Sequence, residues 1–352
     1  MILGSSRESR KSLAFLFNRH CEERSNEAIY SYGLLRCARN NEVLLSRDSN
    51  ITFIFKCLIN MDINMANKKV LKSVVLIYFI CLVFRLFEYF VLKTDLSIIG
   101  EAVVHKIAGI IILVFAARYF NYDSSKIGFS NNSKLLKLFA GIILGLICFA
   151  IAYIVEISIA KTSGSYFGLG LYVTSYSIKG NLGNQTALVF FLICIIGNII
   201  NVIMEEGVFR GLFVSRLQEK YSFIATALIS SVLFGLWHGV APLRSFLYGE
   251  TSAFGLMMNC FILIFTSALV GFKFCLLTKL TGSVYMSMGE HFVNNTIVNI
   301  LHVMTAGGSD TYQVIRISIA QSLSFILVLI LFMISKRMES KKAAELSIAQ
   351  SV

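Results

Sequence analysis

Glu205, Glu206 and Arg210 stand in the middle of a hydrophobic run from about Leu188 to Val214, where a helix facing lipid tolerates no ionisable side chain. Each such group at the centre of a bilayer costs about 2.5 kcal/mol or more, so its presence points to function. Glu206 and Arg210 are four apart and share a helix face, which suits an ion pair that lowers the cost of burying both. Glu205 points about 100° away and lacks that partner. Asn201 and Asn198 lie one and two turns earlier along its face, so a polar stripe should turn toward the protein interior. A carboxylate held there is a candidate for proton chemistry.

Two later hydrophobic runs carry further polar residues. In the first, Phe234-Gly235-Leu236-Trp237-His238 places a histidine four residues before Pro242, the only proline in the chain. Proline has no N–H, so the carbonyl of His238 loses its helical partner and the helix should kink or loosen there. In the second, Ser287, His291, Asn295, Asn299 and His302 recur at spacings of four and three, along one helix face. Singly, Asn198, Asn201, Ser287, Asn299 and His302 are explained by hydrogen bonds to a neighbouring helix. Glu205, Glu206, Arg210, His238, His291 and Asn295 fall at similar depth on three helices, and together they imply a shared polar site.

A carboxylate and an imidazole can take a proton from water and return it to a leaving amine, while a second imidazole and a carboxamide stabilise the oxyanion between. That chemistry is peptide hydrolysis. The same Glu205, His238, His291 and Asn295 could instead ligate a divalent metal such as zinc that polarises the water. The HExxH spacing of common zinc proteases is absent, so spacing alone leaves both routes open. A proton-coupled transporter, with buried Glu and His relaying protons, or a non-catalytic membrane scaffold are the readings from other classes. The two halves of the chain show no internal repeat, and the polar residues keep to one level.

Glu205-Glu206-x-x-x-Arg210, Phe234-x-x-x-His238 and His291-x-x-x-Asn295, in that order on three hydrophobic spans, resemble the three motifs of the CPBP family, the type II CAAX prenyl proteases and Abi-like membrane proteins. The likeness covers about residues 70–335. It implies an eight-helix intramembrane endopeptidase in which Glu205 and His238 activate water, His291 and Asn295 hold the oxyanion, and Glu206 and Arg210 orient and support. It also suggests cleavage after a prenylated cysteine near a C-terminus, so the expected partners are a peptide or lipidated protein substrate and the bilayer. Glu290 lies outside the motif and reads as an extra ligand or as the partner of Asn294 on its own helix.

Composition supports this placement. Of 352 residues, 56% are hydrophobic and 15% charged, and a mean hydropathy of +0.72 is too apolar for an ordinary soluble domain. Eight segments are long and apolar enough to span, near 70–92, 98–118, 135–159, 187–215, 222–246, 252–275, 282–304 and 312–334. The expected fold is therefore an all-α polytopic bundle of about eight transmembrane helices around a buried polar site. The formal charge of +12 reflects Lys and Arg gathered beside the spans, which act as topology signals and argue against nucleic-acid binding. Among them are Lys68, Lys69, Arg118, Lys126, Arg216, Lys273, Lys279 and Lys336, all on one side by this reading, and both termini should be cytoplasmic, in a bacterial cell membrane. The eight cysteines form no CxxC pair and suggest neither a disulfide framework nor a metal site.

Residues 1–65 do not match the rest. The strings at 20–29 and 33–40 resemble translated interspersed repeats of bacterial reading frames, so this stretch reads as a disordered extension or as a start placed too early, with Met61 or Met65 as the true first residue. Residues 66–338 would form the protease domain and 339–352 a cytoplasmic tail. The segment 160–185, rich in Ser, Gly and Tyr, reads as a loop. Gly141 and Gly145 form a GxxxG that points to tight internal helix packing. Arg85 and Glu88, three apart, should pair with each other, while His105, Lys106 and Glu156 near span ends should snorkel.

Overall fold

A computed structural model describes residues 49–97, 99–130, 133–174 and 184–351. The chain divides into two units, Met1–Ala66 and Asn67–Val352. In the first, the described residues from 49 to 66 are helical, and the repeat-like strings lie outside the described residues. Met61 and Met65 fall within helix α1 (Ser49–Phe87).

The second unit is all-α apart from one small sheet, and it is a polytopic membrane protein. Among the described residues six helical stretches are long and apolar enough to cross a bilayer: Lys68–Leu96, Lys134–Thr162, Leu188–Leu217, Phe223–Leu247, Ala253–Thr281 and Gln313–Lys342. Only 17–44% of the residues in each span's apolar window are buried, so most face outward, and lipid is the surrounding that suits such apolar faces. The other two expected spans, 98–118 and 282–304, are shorter helices: α2 (Val104–Tyr119) and α8 (Tyr285–Ile300), each of 16 residues. At 1.5 Å per residue each is about 24 Å long, short of the roughly 30 Å hydrocarbon core. α8 stops because Leu301 turns extended and the chain enters a strand.

That strand, β2 (Leu301–Thr305), lies between β1 (Tyr166–Leu171) and β3 (Gly308–Ser309), all antiparallel. The segment expected as a loop at 160–185 thus supplies β1, and His302 sits on β2 rather than on the helix that carries His291. His302 donates from Nδ1 to Asp310, and its ring stacks on Tyr172 with centroids 4.0 Å apart. Burial alone would raise the Asp310 carboxyl. Hydrogen bonds from His302, Arg316 and the Val303 N–H outweigh that and hold it below the usual carboxylate range.

The remaining helices are α3 (Lys134–Thr162), α4 (Leu188–Glu205), α5 (Phe223–His238), α6 (Val240–Leu247), α7 (Ala253–Thr281) and α9 (Gln313–Ser351). α9 continues through residues 339–351. Ser222 caps α5 by accepting from Ala225 N, and Ser252 caps α7 by accepting from Gly255 N at 3.1 Å. The helix holding His238 ends there, and Gly239 separates it from α6, at the carbonyl that Pro242 leaves without a donor.

α8 lies along α3 because glycines on both helices let the backbones touch. A Cβ at Gly141 would meet the carbonyl oxygen of Met286 at 2.0 Å, and one at Gly289 would meet that of Leu138 at 2.2 Å. The GxxxG therefore packs inside the bundle, and it fixes the helix that carries His291 and Asn295. α7 packs on α5, and α9 packs on α3 and α7.

Several polar residues expected at the lipid boundary are instead buried in pairs. Glu156 meets Arg316 at 2.7 Å, Lys106 meets Glu101 at 2.6 Å, and Arg244 meets Asp95 at 2.7 Å. Lys273 ion-pairs with Glu290 inside the bundle, so it does not act as a topology signal. His105 is 1% exposed and hydrogen-bonds Glu88, which takes that carboxylate away from Arg85.

Candidate active site

The site is built where α4 loosens. After Glu205 the chain continues as a π-helical turn, Glu206–Phe213, which widens the helix and turns successive side chains by a little less than an α-helix would. All eight residues of this turn are buried. Its wall toward the cavity is Glu205 and its packed side is Glu206 with Arg210.

Glu205 is 3% exposed. The indole Nε1–H of Trp237 donates to its Oε1 at 3.1 Å, and the Asn201 carboxamide donates to its Oε2 at 3.4 Å. Both donors are neutral. His291 turns Nε2 toward the same Oε2 at 3.5 Å. Through its other nitrogen, Nδ1, it hydrogen-bonds Glu206 Oε1 at 2.9 Å. One imidazole thus joins the two adjacent glutamates, and its ring is stacked 5.0 Å from that of Phe274.

Glu206 is enclosed and pairs with Arg210 at 3.2 Å, as the spacing of four implies. The guanidinium lies 3.9 Å over the ring of Phe234 and 5.2 Å from that of Phe274, so aromatic faces supply what hydrogen-bond acceptors do not. His238 donates Nδ1–H to the Phe234 carbonyl at 2.8 Å, which leaves Nε2 as the lone-pair nitrogen. Glu205, His238, His291 and Asn295 all line one cavity of about 820 Å³, together with Asn198 and Asn201. This volume is in the range of small-molecule and peptide sites.

Among the described residues no group of three or more His, Cys, Asp or Glu side chains is arranged to hold a metal ion. Glu290 is neither an extra ligand nor the partner of Asn294. It holds Lys273, whose ammonium also donates to Gln321 at 2.9 Å and Ser324 at 2.8 Å. From Gln321 the chain of bonds runs on to Asn294 at 2.7 Å and from Asn294 to Asn295 Oδ1 at 3.0 Å.

Sequence reasoning missed Arg85, Tyr89, Lys273 and Gln321 as cavity residues, and Trp237 as the indole that holds Glu205. Trp237 is the only tryptophan in the chain and adjoins His238, which was a usable signal. Lys273 and Glu290 sit in apolar runs and were equally visible, but their pairing across 17 positions was not. Ser287 donates to the Val284 carbonyl at 2.9 Å and Asn198 lies on Cys194, local roles of the kind a buried polar side chain ordinarily plays.

Residues 186–297 match the family model described as "Type II CAAX prenyl endopeptidase Rce1-like". A protein of Bacillus subtilis (strain 168), "Putative membrane peptidase YdiL", is 30% identical over 112 residues, which cover 32% of this chain. The aligned part spans 38% of the length of that curated relative. No solved structure matches this chain. The matched region holds all three motifs and every residue from Glu205 to Asn295 described above. Residues 186–297 are thus an Rce1-like domain of the type II CAAX prenyl endopeptidase family, the family that the three motifs resemble.

Proposed function

We propose that the chain is an intramembrane endopeptidase that hydrolyses a peptide bond in a membrane-associated, lipidated C-terminal segment. The observation that carries this reading is the state of Glu205: a buried carboxylate held by neutral donors on the wall of a cavity shared with His238, His291 and Asn295. A water between Glu205 and the free Nε2 of His238 would lose a proton to them as its oxygen adds to the scissile carbonyl. His291 in its imidazolium form, with Nδ1–H donated to Glu206, would offer its Nε2–H to the new oxyanion, and the Asn295 carboxamide a second donor. Collapse of the tetrahedral intermediate breaks the C–N bond. The proton taken from water leaves on the amine, which restores Glu205 and His238.

The family description supports a prenylated peptide as the substrate class, and the membrane setting supports delivery from the bilayer. The Lys and Arg beside the spans, with an even number of crossing helices, support cytoplasmic termini in a bacterial cell membrane. The test is cleavage of a fluorogenic farnesylated peptide by purified protein in detergent. Cleavage should be lost in Glu205→Ala and in His238→Ala, and undiminished turnover in Glu205→Ala would exclude this mechanism.

A further inference from the structure

Three cations line the cavity, and they are not equivalent. Lys106 is paired with Glu101 and Lys273 with Glu290. Arg85, 6% exposed, forms no ion pair with any carboxylate among the described residues. The nearest candidate, Glu88, is fully engaged: it accepts from Thr94, from the N–H groups of Val104 at 2.8 Å and His105 at 2.6 Å that open α2, and from His105 Nδ1 at 2.5 Å. Arginine cannot accept a hydrogen bond, so the 3.2 Å contact of Arg85 Nη1 with His105 Nε2 must run from the guanidinium to an unprotonated nitrogen. Glu88 thereby holds Arg85 in place through His105, without meeting it.

What remains of Arg85 is unmet. Its Nε has no hydrogen-bond partner, and Nη2 donates only to the Tyr89 hydroxyl at 3.4 Å. Tyr89, also a cavity residue, accepts that bond and keeps its own O–H to give. On its other side the guanidinium lies 4.5 Å over the indole of Trp237, the same ring whose N–H holds Glu205. A buried, permanently charged donor with no carboxylate in direct contact keeps hydrogen-bonding capacity that an anion in the cavity would use.

We infer that Arg85 and Tyr89 form a carboxylate-binding subsite, one indole away from Glu205, which takes a carboxylate of the peptide substrate. This rests on the peptidase reading for the identity of the ligand, and the site itself rests on the two unmet donors. Two sources share that chemistry, the free C-terminus of the peptide and an acidic side chain near it. With the C-terminus bound, Glu205 would act at a bond a fixed short distance from the end of the chain, so the subsite would also select where cleavage falls. α1 and α2 lie outside residues 186–297, and this feature is therefore a property of the present chain and not of the matched region.

The experiment measures binding and cleavage separately. A dye-labelled farnesylated peptide is prepared as the free acid, as the C-terminal amide, and as the amide with a glutamate two residues from the end. Affinity is read by fluorescence anisotropy on the Glu205→Ala protein, which needs no turnover, and KM and kcat on the parent. The free acid should bind roughly 10- to 100-fold more tightly than the plain amide, as a charge-assisted hydrogen-bond site provides. Arg85→Gln should erase that difference by weakening the acid alone, and Tyr89→Phe, which removes only the hydroxyl, should narrow it a few-fold while the ring keeps its packing. If the glutamate-bearing amide regains the affinity in an Arg85-dependent way, the side chain is the accepted source. Equal affinity for acid and plain amide in the parent background, or no binding of any of the three peptides, would overturn the subsite. Cleavage of acid and amide with equal KM by an enzyme that still depends on Glu205 would sink the subsite and leave the peptidase standing. Arg85-dependent binding with no cleavage would do the reverse.

Discussion

Glu205 and Glu206 are neighbours in sequence and almost equally enclosed, at 3% and 0% exposed, yet they sit in two different regions. Glu205 belongs to the cavity wall, where an indole and a carboxamide hold it without neutralising it. Glu206 belongs to the packed layer behind, where Arg210 and His291 surround it. The difference teaches how the fold divides charge: the carboxylate on the cavity wall is steadied by neutral donors, and the carboxylate in the packed layer is matched by a cation. The rotation of about 100° between successive helical residues is what sends two adjacent side chains to these two places.

Paired substitutions break this comparison most sharply. Glu205→Gln keeps shape and hydrogen bonding, so it should lower kcat by roughly a thousandfold while the unfolding midpoint in detergent stays close to the parent. Glu206→Gln leaves Arg210 buried without its anion and should show the opposite order of effects, with loss of stability first. If both variants lose activity equally and melt alike, the division between wall and packed layer is wrong. Arg210→Ala tests the same layer from the other partner. Stranding Glu206 in a dry environment should cost about 3–5 kcal/mol, read by denaturant unfolding in detergent, and a variant as stable as the parent refutes the pairing.

The two regions were not equally legible in the sequence. The cavity wall was: ionisable residues at Glu205, His238 and His291 in apolar runs have few explanations, and the i,i+4 rule gave the Glu206–Arg210 pair directly. The proline gave the helix break at Gly239. What was hidden depends on distance in the chain. Arg85 and Glu88 look like partners at a spacing of three, and only the arrival of α2 shows that its N-terminal N–H groups and His105 claim Glu88 instead. His302 continues the polar period of α8 by count, but pairing with β1 ends the helix at Ile300. The two short helices were read as full spans because hydropathy measures how apolar a stretch is, and not where its hydrogen bonding changes.

A gentler change reaches the wall through helix packing. α8 carries His291 and Asn295, and glycines hold it against α3. Gly141→Ala puts a methyl 2.0 Å from the Met286 carbonyl oxygen, so the helices must separate. This should cost about 1–3 kcal/mol of stability and lower kcat by more than it changes the affinity for substrate, because the donors on α8 move while the apolar lining stays. Wild-type stability for this variant would show that the helices do not meet at Gly141.

The smallest effect expected sharpens the role of Asn295. Its Oδ1 accepts from Asn294, whose own Oδ1 accepts from Gln321, whose Oε1 accepts from Lys273. Each link fixes which end of the next amide is donor and which acceptor, and the last link fixes the Asn295 oxygen as the acceptor and its NH₂ as the donor end. Gln321→Leu cuts this chain 26 positions after Asn295 and outside the matched region. One neutral hydrogen bond is worth about 0.5–1.5 kcal/mol, so kcat should fall by roughly 2- to 10-fold, with KM and the unfolding midpoint little changed. Because Lys273 keeps Glu290 and Ser324, a purely structural role for Gln321 would lower the midpoint or raise KM instead, and a kcat equal to that of the parent would show that the orientation of Asn295 does not come from Gln321.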